Sequence, residues 1–468
     1  MNFVRYTIIL VASLVRIPAA AQDSLKTISA RQVIEIVKQF HPIAKQADIL
    51  VEKSKAEVTV AKGMFDPYLQ NRTAQKTFDG VDYYHYNRPE LSIPTWYGVE
   101  VSAGLENLSG TRTDPVETRG KTSYLGISVP LAKNLLMDKR RAALQTAKIF
   151  RSASVVEKRN ILNNLLLAAL NTYWNWAQHY QIYQVLTNAV TVNEKRVAFV
   201  KTAFSLGERP AIDTTEALTQ LQNFELMKSQ AWLDFQNTSL ELSVFLWTAT
   251  QPYNLPAGII PDDVPEFSTL ANATIPQLSN LLYAAGKNHP ELIIYDYRLD
   301  VLGVEKKLKF QELLPTANFN YNQLGKGYNI LKTTAGPLLE NNFQYGLLLG
   351  IPLRLSQGRG EYRIAKLKII ETQLQKWQKQ IEVETNVKTY FNELMTLKTQ
   401  VALQGKNYQN YLSLQRGEEI RFRAGESSLF LINARENRAL EALQKLQELV
   451  IKYFKTENSL QWSAGLLF

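Results

Sequence analysis

The segment from Leu131 to Leu206 contains neither proline nor glycine. Proline breaks a helix interior and glycine weakens it, so a segment of this length without either favours one continuous helix. At 1.5 Å per residue such a helix would reach roughly 110 Å. Charged residues such as Lys139 and Glu194 exclude a membrane-spanning helix, so we expect a long strut outside the membrane. Its apolar residues recur at the heptad steps of helices that pack along their length: Leu162, Leu166, Ala169, Tyr173, Trp176, Tyr180 and Tyr183.

The composition excludes several classes of protein. The chain has no cysteine, which excludes a disulfide scaffold, a thiolate metal site, a thiol nucleophile and a lipid-anchored cysteine. Its formal net charge is +10, but acidic and basic residues are interleaved. That pattern favours solvated helix faces over a nucleic-acid surface, so no nucleic-acid partner is predicted.

The first residues have the features of an export signal. Arg5 supplies a positive charge, Tyr6 to Val15 form a short apolar run, and Ala19 to Ala21 supply small residues for cleavage. The run is too short to span a membrane, and no later stretch approaches 18 apolar residues. We predict a signal peptide at 1–21 and a mature chain without a transmembrane helix.

Two segments predict strands. From Tyr68 to Pro130, apolar and polar residues alternate, as Tyr97, Val99 and Val101 do with their neighbours. Period two with one apolar and one polar side is typical of a sheet between two different environments. The matching segment at 315–353 is shorter, so the first contributes either two crossings or four. We favour two, with the surplus aromatic-rich residues outside.

The same order of segments occurs twice along the chain. His41-Pro42 and His289-Pro290 are 248 residues apart, as are Pro67 and Pro315. This correspondence predicts an internal duplication. The predicted repeats are 22–258, with strands at about 67–130 and long helices at about 131–250, and 259–468, with strands at about 315–353 and long helices at about 361–460. The second long helix carries its own heptad seam: Leu367, Ile370, Leu374, Trp377 and Ile381.

No catalytic or metal-binding pattern stands out from the sequence. None of the four histidines has a partner at metal-ligand spacing, and His41 and His289 precede prolines, which favours a turn role. Gly358-Arg-Gly360 is predicted to be a turn, and Glu418-Glu419 a solvated helix face. We therefore predict neither an enzyme nor a bound cofactor or metal.

Two glycine-centred breaks, at Gly207 and Gly425, each join a very long helix to a return helix. Glycine permits the left-handed conformation that ends a helix. Each break must lie at the far end of its helix from the strands, so we predict that both form one tip. The tip residues are Gly207, Glu208, Arg209, Gly425, Glu426 and Ser427.

These features resemble the outer membrane efflux proteins typified by TolC, over essentially the whole mature chain. The strands end in Val129-Pro-Leu131 and Ile351-Pro-Leu353 before basic helices. The segment Gly207 to Ala217 fits the helix-breaking turn of the family, with Asp213 and Glu216 as its acids. The second copy is one residue shorter and has Phe430 and Asn433 where the family has acids.

The resemblance implies a mainly α fold with a β-barrel part. A homotrimer would form an outer-membrane β-barrel, continued by a periplasmic α-helical barrel. Its function would be a passive exit duct of a tripartite efflux or type I secretion system, working with a periplasmic adaptor and an inner-membrane transporter. Independently, a few strands per chain cannot close a barrel in lipid, so chains must pool them.

In the family, acids of the second turn are implied to line the pore constriction, and here they are missing. The candidates for that constriction are Asp213, Glu216, Phe430 and Asn433. The C-terminal segment from Trp462 to Phe468 is expected to pack against the helices. The alternative function is an exported periplasmic coiled-coil interaction protein without a pore, and the alternating strands argue against it.

Overall fold

The structure is a computed structural model that describes residues 27–111, 118–256, 258–262, 270, 274–334 and 338–467. The predicted signal peptide at 1–21 and the terminal Phe468 lie outside the described residues. Long helices and one antiparallel sheet make up the fold. No helix within these ranges is both long and apolar enough to cross a membrane.

Four helices belong to the described residues of the first half. They are α1 (Ala30–Phe40), α2 (Pro42–Gly63), α3 (Lys139–Ser205) and α4 (Ala211–Ser243). A capping box, in which Ser29 and Gln32 bond to each other's backbone, starts α1. His41 ends α1 and begins α2, and its Nδ1 accepts a hydrogen bond from the Ile43 N–H at 3.2 Å. The predicted turn role of His41 is confirmed.

Within the described part of the second half there are five helices: α5 (Leu278–Asn288), α6 (Pro290–Gln311), the single turn α7 (Ile330–Thr333), α8 (Ser356–Arg423) and α9 (Leu429–Ser463). His289 joins α5 to α6 as His41 joins α1 to α2. The long helices α3 and α8 have 67 and 68 residues, and the return helices α4 and α9 have 33 and 35. These closely matched lengths favour the predicted duplication, which stays a prediction.

Six strands form one sheet: β2 (Tyr68–Phe78), β3 (Val81–Pro94), β4 (Glu100–Ser109), β5 (Gly120–Pro130), β7 (Thr316–Lys326) and β8 (Phe343–Gly350). They are paired in that order, and every pair is antiparallel. The first half thus supplies four strands. The surplus residues form the hairpin β2–β3 and extend the sheet, and the preference for two membrane crossings stays a prediction. Two short strands, β1 (Thr27–Ile28) and β6 (Ile260–Pro261), pair separately.

The connection between β7 and β8 folds back over the sheet. The Thr333 and Ser123 hydroxyls are 2.8 Å apart, and the Leu339 N–H donates to the Tyr321 hydroxyl at 3.2 Å. This contact links α7 to β5 and β7. No sequence pattern predicted it.

The long helix α3 begins later than expected. Residues 131–138 lack proline and glycine, yet the Leu131 N–H donates to the Ala317 carbonyl at 2.7 Å, which extends the ladder with β7. Asn134 has a left-handed backbone, with φ of 68°. Asp138 is the N-cap, and its carboxylate accepts from the Arg141 N–H at 2.8 Å. At the second junction the predicted Gly358-Arg-Gly360 turn is wrong, because these residues are helical.

The helices pack as two antiparallel pairs, α3 with α4 and α8 with α9, and α9 also packs on α3. The heptad seam of α3 is confirmed, since Leu166, Ala169, Tyr173 and Trp176 are fully buried. Leu467 joins the same apolar cluster, and the Trp462 indole donates to Asn164 Oδ1 at 2.7 Å. The C-terminal segment through Leu467 therefore packs against the helices, as predicted.

Candidate functional site

The two glycine breaks have the same local geometry. Gly207 and Gly425 have φ of 75° and 79°. The Gly207 N–H donates to the Phe204 carbonyl and the Glu208 N–H to the Ala203 carbonyl, both at 2.9 Å. The second break repeats these two bonds from Gly425 and Glu426. Both are Schellman motifs, in which the left-handed residue lets the chain satisfy the last carbonyls of the helix.

The two turns lie side by side, and Arg209 joins them. Its guanidinium donates to the Phe422 carbonyl at 3.1 Å and lies 4.0 Å from the centre of the Phe422 ring. The same guanidinium is 3.5 Å from the Asp213 carboxylate. Arg209 was predicted to lie at the tip, and in the structure its side chain also binds the end of α8.

Most of the predicted tip residues are accessible. Gly207, Glu208, Gly425 and Glu426 are exposed. Ser427 is half-buried, because its hydroxyl donates to Glu418 Oε1 at 2.5 Å.

The carboxylate of Glu418 is buried, with the guanidiniums of Arg421 and Arg435 at 3.8 and 4.0 Å. The prediction of a solvated face at Glu418-Glu419 is therefore wrong for Glu418. Its role is to hold the second turn through Ser427.

The four constriction candidates have different surroundings. Asp213 pairs with Arg209, and Glu216 accepts a hydrogen bond from Asn433 Nδ2 at 3.2 Å. Asn433 is only 7% exposed in the single chain, and its place at a pore constriction stays a prediction. Phe430 is 68% exposed, and it is the candidate that most openly faces solvent.

A buried ion pair near the turns was not predicted. Arg196 Nη1 lies 2.5 Å from Glu436 Oε2, and these side chains are 9% and 8% exposed. Asn193 Nδ2 donates to Glu436 Oε1 at 3.1 Å. The pair ties α3 of the first half to α9 of the second. The sequence pattern of neither helix indicates this ion pair, because the two partners are far apart in sequence.

One face of the sheet is polar and hydrogen-bonded. Arg88 Nε donates to the Tyr124 hydroxyl at 2.7 Å, and that hydroxyl donates to Glu90. On the same face, Ser92 donates to Glu100 at 2.6 Å. Arg140, near the start of α3, reaches Glu100 at 3.2 Å and connects this face to the helices.

The opposite face of the sheet carries apolar side chains. They alternate with the polar set along the strands, and many are substantially exposed: Leu91, Ile93, Leu125, Ile127, Leu347 and Leu349. A contiguous exposed apolar surface marks an interface with lipid or with another protein. Apolar-out and polar-in alternation is the pattern of strands that separate lipid from an aqueous lumen.

No family model matches the sequence, and no curated protein matches it. Solved structures of outer membrane channels do match the fold. The Campylobacter jejuni CmeC outer membrane channel is 14% identical, with a TM-score of 0.64 over 94% of this chain and 86% of that one. The Vibrio cholerae outer membrane protein VceC is 13% identical, with a TM-score of 0.63 over 93% and 96%.

The open state of the Neisseria gonorrhoeae MtrE outer membrane channel is 12% identical, with a TM-score of 0.64 over 94% of this chain and 89% of that one. The chain therefore shares the fold of these channels, and the mainly helical fold with a sheet that the resemblance implied is confirmed. The closed barrel and the trimer stay predictions.

Proposed function

We propose that this protein is a passive exit duct in the outer membrane. The observation that carries the proposal is the sheet, which is apolar on one face and charged and hydrogen-bonded on the other. Lipid would cover the part of the apolar face that the β7–β8 connection leaves open, and a water-filled lumen would lie along the polar face. The shared fold with solved outer membrane channels supports this assignment. We infer export by the signal peptide at 1–21.

The proposed duct is a homotrimer. In one chain the seam of α8 is open, with Leu367, Ile370, Leu374 and Trp377 between 53% and 62% exposed. A heptad row of this kind needs a facing helix. The described residues of the same chain do not cover it, so we infer that a second copy does. Three copies would arrange the paired helices as a cylinder beneath the sheet.

The helical part would extend into the periplasm. The 67 residues of α3 correspond to roughly 100 Å, which suits a wide aqueous gap. At its far end, the exposed turns around Gly207 and Gly425 would dock a periplasmic adaptor. An energised inner-membrane transporter would then drive cargo through the duct, which itself performs no chemistry.

A conductance measurement distinguishes the proposed duct from the alternative function, an exported coiled-coil interaction protein without a pore. Purified protein added to planar lipid bilayers should give discrete single-channel steps, and native mass spectrometry of detergent-extracted protein should show three chains. A stable monomer with intact helical content and no conductance would reject the proposal in favour of the alternative.

A further inference from the structure

Both outer strands of the sheet have a free edge. Among the described residues, β2 pairs only with β3, and β8 pairs only with β7. A free edge presents unpaired backbone N–H and C=O groups. Within lipid these groups must find partners, because no water is available to bond them. The edges of β2 and β8 therefore each need another strand if the sheet lies in the membrane.

The ladder is staggered as a tilted barrel wall requires. One row of paired residues consists of Tyr68, Ser92, Ser102, Gly126, Asn322 and Gln344. Tyr68 is the first residue of β2, next to the helices, whereas Gln344 is near the opposite end of β8. The strands are thus displaced along their neighbours by about one residue per strand on average, as in barrels whose strands tilt by about 35–45°. After allowance for this tilt, all six strands span one layer.

The assignment of alternate residues to the two faces continues into β2. Gln70 Nε2 donates to Glu90 Oε1 at 3.0 Å, which places Gln70 on the polar face. Arg72 and Lys76 have the same parity as Gln70 and lie on that face before the register shift that follows Lys76. Thr73 lies on the other face, where its hydroxyl donates to Asn87 Oδ1 at 2.9 Å.

The outward side of β2 is therefore uncharged but, unlike that of the other strands, mostly polar, with Leu69 followed by Asn71, Thr73 and Gln75. Charge in β2 is directed only toward the lumen side.

We propose that the free edge of β2 pairs with the free edge of β8 in the next copy of this chain. Six strands from each of three copies then close a barrel of eighteen strands. This inference rests on the trimeric duct proposed above. The other possibility is a barrel of β4, β5, β7 and β8 alone, twelve strands in all, with the hairpin β2–β3 outside the wall. The ladder from His85–Ser109 to Pro94–Glu100 opposes it, because β3 occupies the edge of β4 that would have to pair.

The stagger also predicts the register of the new contact. If the same displacement continues from β8 to β2 of the next copy, the middle of β2, near Thr73, lies opposite the middle of β8, between Tyr345 and Leu347. Barrel diameter grows roughly linearly with strand number, so eighteen strands give a lumen about one and a half times as wide as twelve. The outer-membrane exit would then admit bulky hydrated cargo, and passage would be limited at the glycine turns instead.

Cysteine cross-linking tests the contact between β2 and β8 of neighbouring copies. The chain has no cysteine of its own, so only introduced cysteines can cross-link. The test variants combine Thr73→Cys with Tyr345→Cys, Leu347→Cys or Leu349→Cys, to cover the register. The matched variant combines Ala103→Cys, on the outward side of β4, with Leu347→Cys. Each single cysteine serves as a control. Oxidised outer membranes are run on a denaturing gel without reductant.

We expect at least one β2–β8 pair to give covalent dimers and trimers that reductant removes, and the Ala103 pair to give none. Cross-linking of the Ala103 pair instead, or trimers in which no β2–β8 pair forms, overturns the eighteen-stranded barrel and leaves the duct intact. Monomeric protein in native mass spectrometry overturns both proposals.

Discussion

Glu216 Oε1 accepts a hydrogen bond from Asn433 Nδ2 at 3.2 Å. The two residues follow the first and second glycine turns at matching places, so this bond joins the two helical hairpins of one chain. Arg196 lies beside the bond, with its Nη1 3.5 Å from Asn433 Oδ1. Glu216, which we predicted as a candidate for the pore constriction, therefore takes part in a contact between α4 and α9.

The ion pair of Arg196 and Glu436 should stabilise this joint strongly. In Glu436→Ala, the Arg196 guanidinium would stay buried without its close partner. Breaking a buried pair in this way costs about 3–5 kcal/mol. Glu419, 4.0 Å from Arg196, would compensate only in part. We expect a clear drop in the thermal unfolding temperature of detergent-extracted protein, followed by circular dichroism.

The control for this variant is Arg438→Ala. Arg438 pairs with Glu441 at 2.8 Å on the same helix, but both side chains are more than 60% exposed. Exposed pairs contribute about 0–1 kcal/mol, so this variant should unfold close to the wild-type temperature. Equal losses in the two variants would contradict a special role for the buried pair.

His289 should make stability depend on pH. Burial lowers the pKa of His289 below its ordinary value of 6.5. Its Nδ1 is buried and has no hydrogen-bond partner among the described residues. Because the unfolded chain binds the proton more readily, stability is fully present above about pH 6.5 and decreases as the pH falls toward the folded pKa.

Thermal unfolding measured from pH 7.5 to pH 5 checks this expectation. His289→Gln removes the titrating group, so the difference in unfolding temperature between the two pH values should shrink. His41, whose pKa burial also lowers, should account for part of the remaining slope. An unchanged slope in His289→Gln would show that other groups determine the acid sensitivity.

The seam of α8 should control assembly. In Leu374→Glu, a charge would enter the apolar row that we infer a second copy covers. We expect native mass spectrometry to show loss of the trimer, while helical content is kept. Gln375→Glu adds the same charge at an exposed position beside the seam and should leave the trimer intact. Intact trimers in Leu374→Glu would show that the seam of α8 is not part of the interface between copies.

Local patterns were enough to predict much of the fold. The absence of helix breakers and the heptad steps predicted α3, and Tyr173 and Trp176 are buried where the seam placed them. Glycine at 207 and 425 predicted both turns, because a left-handed residue is needed there. These features depend only on residues close together in the chain.

Features that depend on contacts between separate elements could not be predicted. Glu418 has the sequence context of a surface acid, yet Ser427 and two arginines surround it. The first eight residues after Pro130 have helix-compatible composition, but Leu131 instead bonds to Ala317 of β7. The number of strands in the first half likewise depends on pairing between β3 and β4. Each outcome is set by contacts that the pattern of a single helix or strand does not show.

The topology of the hairpin β2–β3 can be tested with epitope tags. Asp79 and Gly80 form its two-residue turn, both with positive φ, and lie at the end of the sheet away from the helices. A tag inserted after Gly80 should bind antibody on intact cells. The matched tag after Tyr97, in the turn between β3 and β4 near the helices, should bind only after the outer membrane is opened. Labelling of both tags on intact cells would contradict a crossing by β3.

The glycine turns should be needed for export but not for assembly. Valine at position 207 or 425 would force a β-branched residue into a left-handed conformation, which costs roughly 1–2 kcal/mol and distorts the turn. Among the residues that the structure describes, none would come within 4 Å of a Cβ atom at either glycine, so any effect comes from the backbone and not from a clash. We expect Gly207→Val with Gly425→Val to abolish cargo export while trimers persist in the outer membrane. Gly417→Val is the matched control, because Gly417 is helical with equally open surroundings. Export that survives the double replacement, or that fails equally in the control, would show that these turns are not the docking tip.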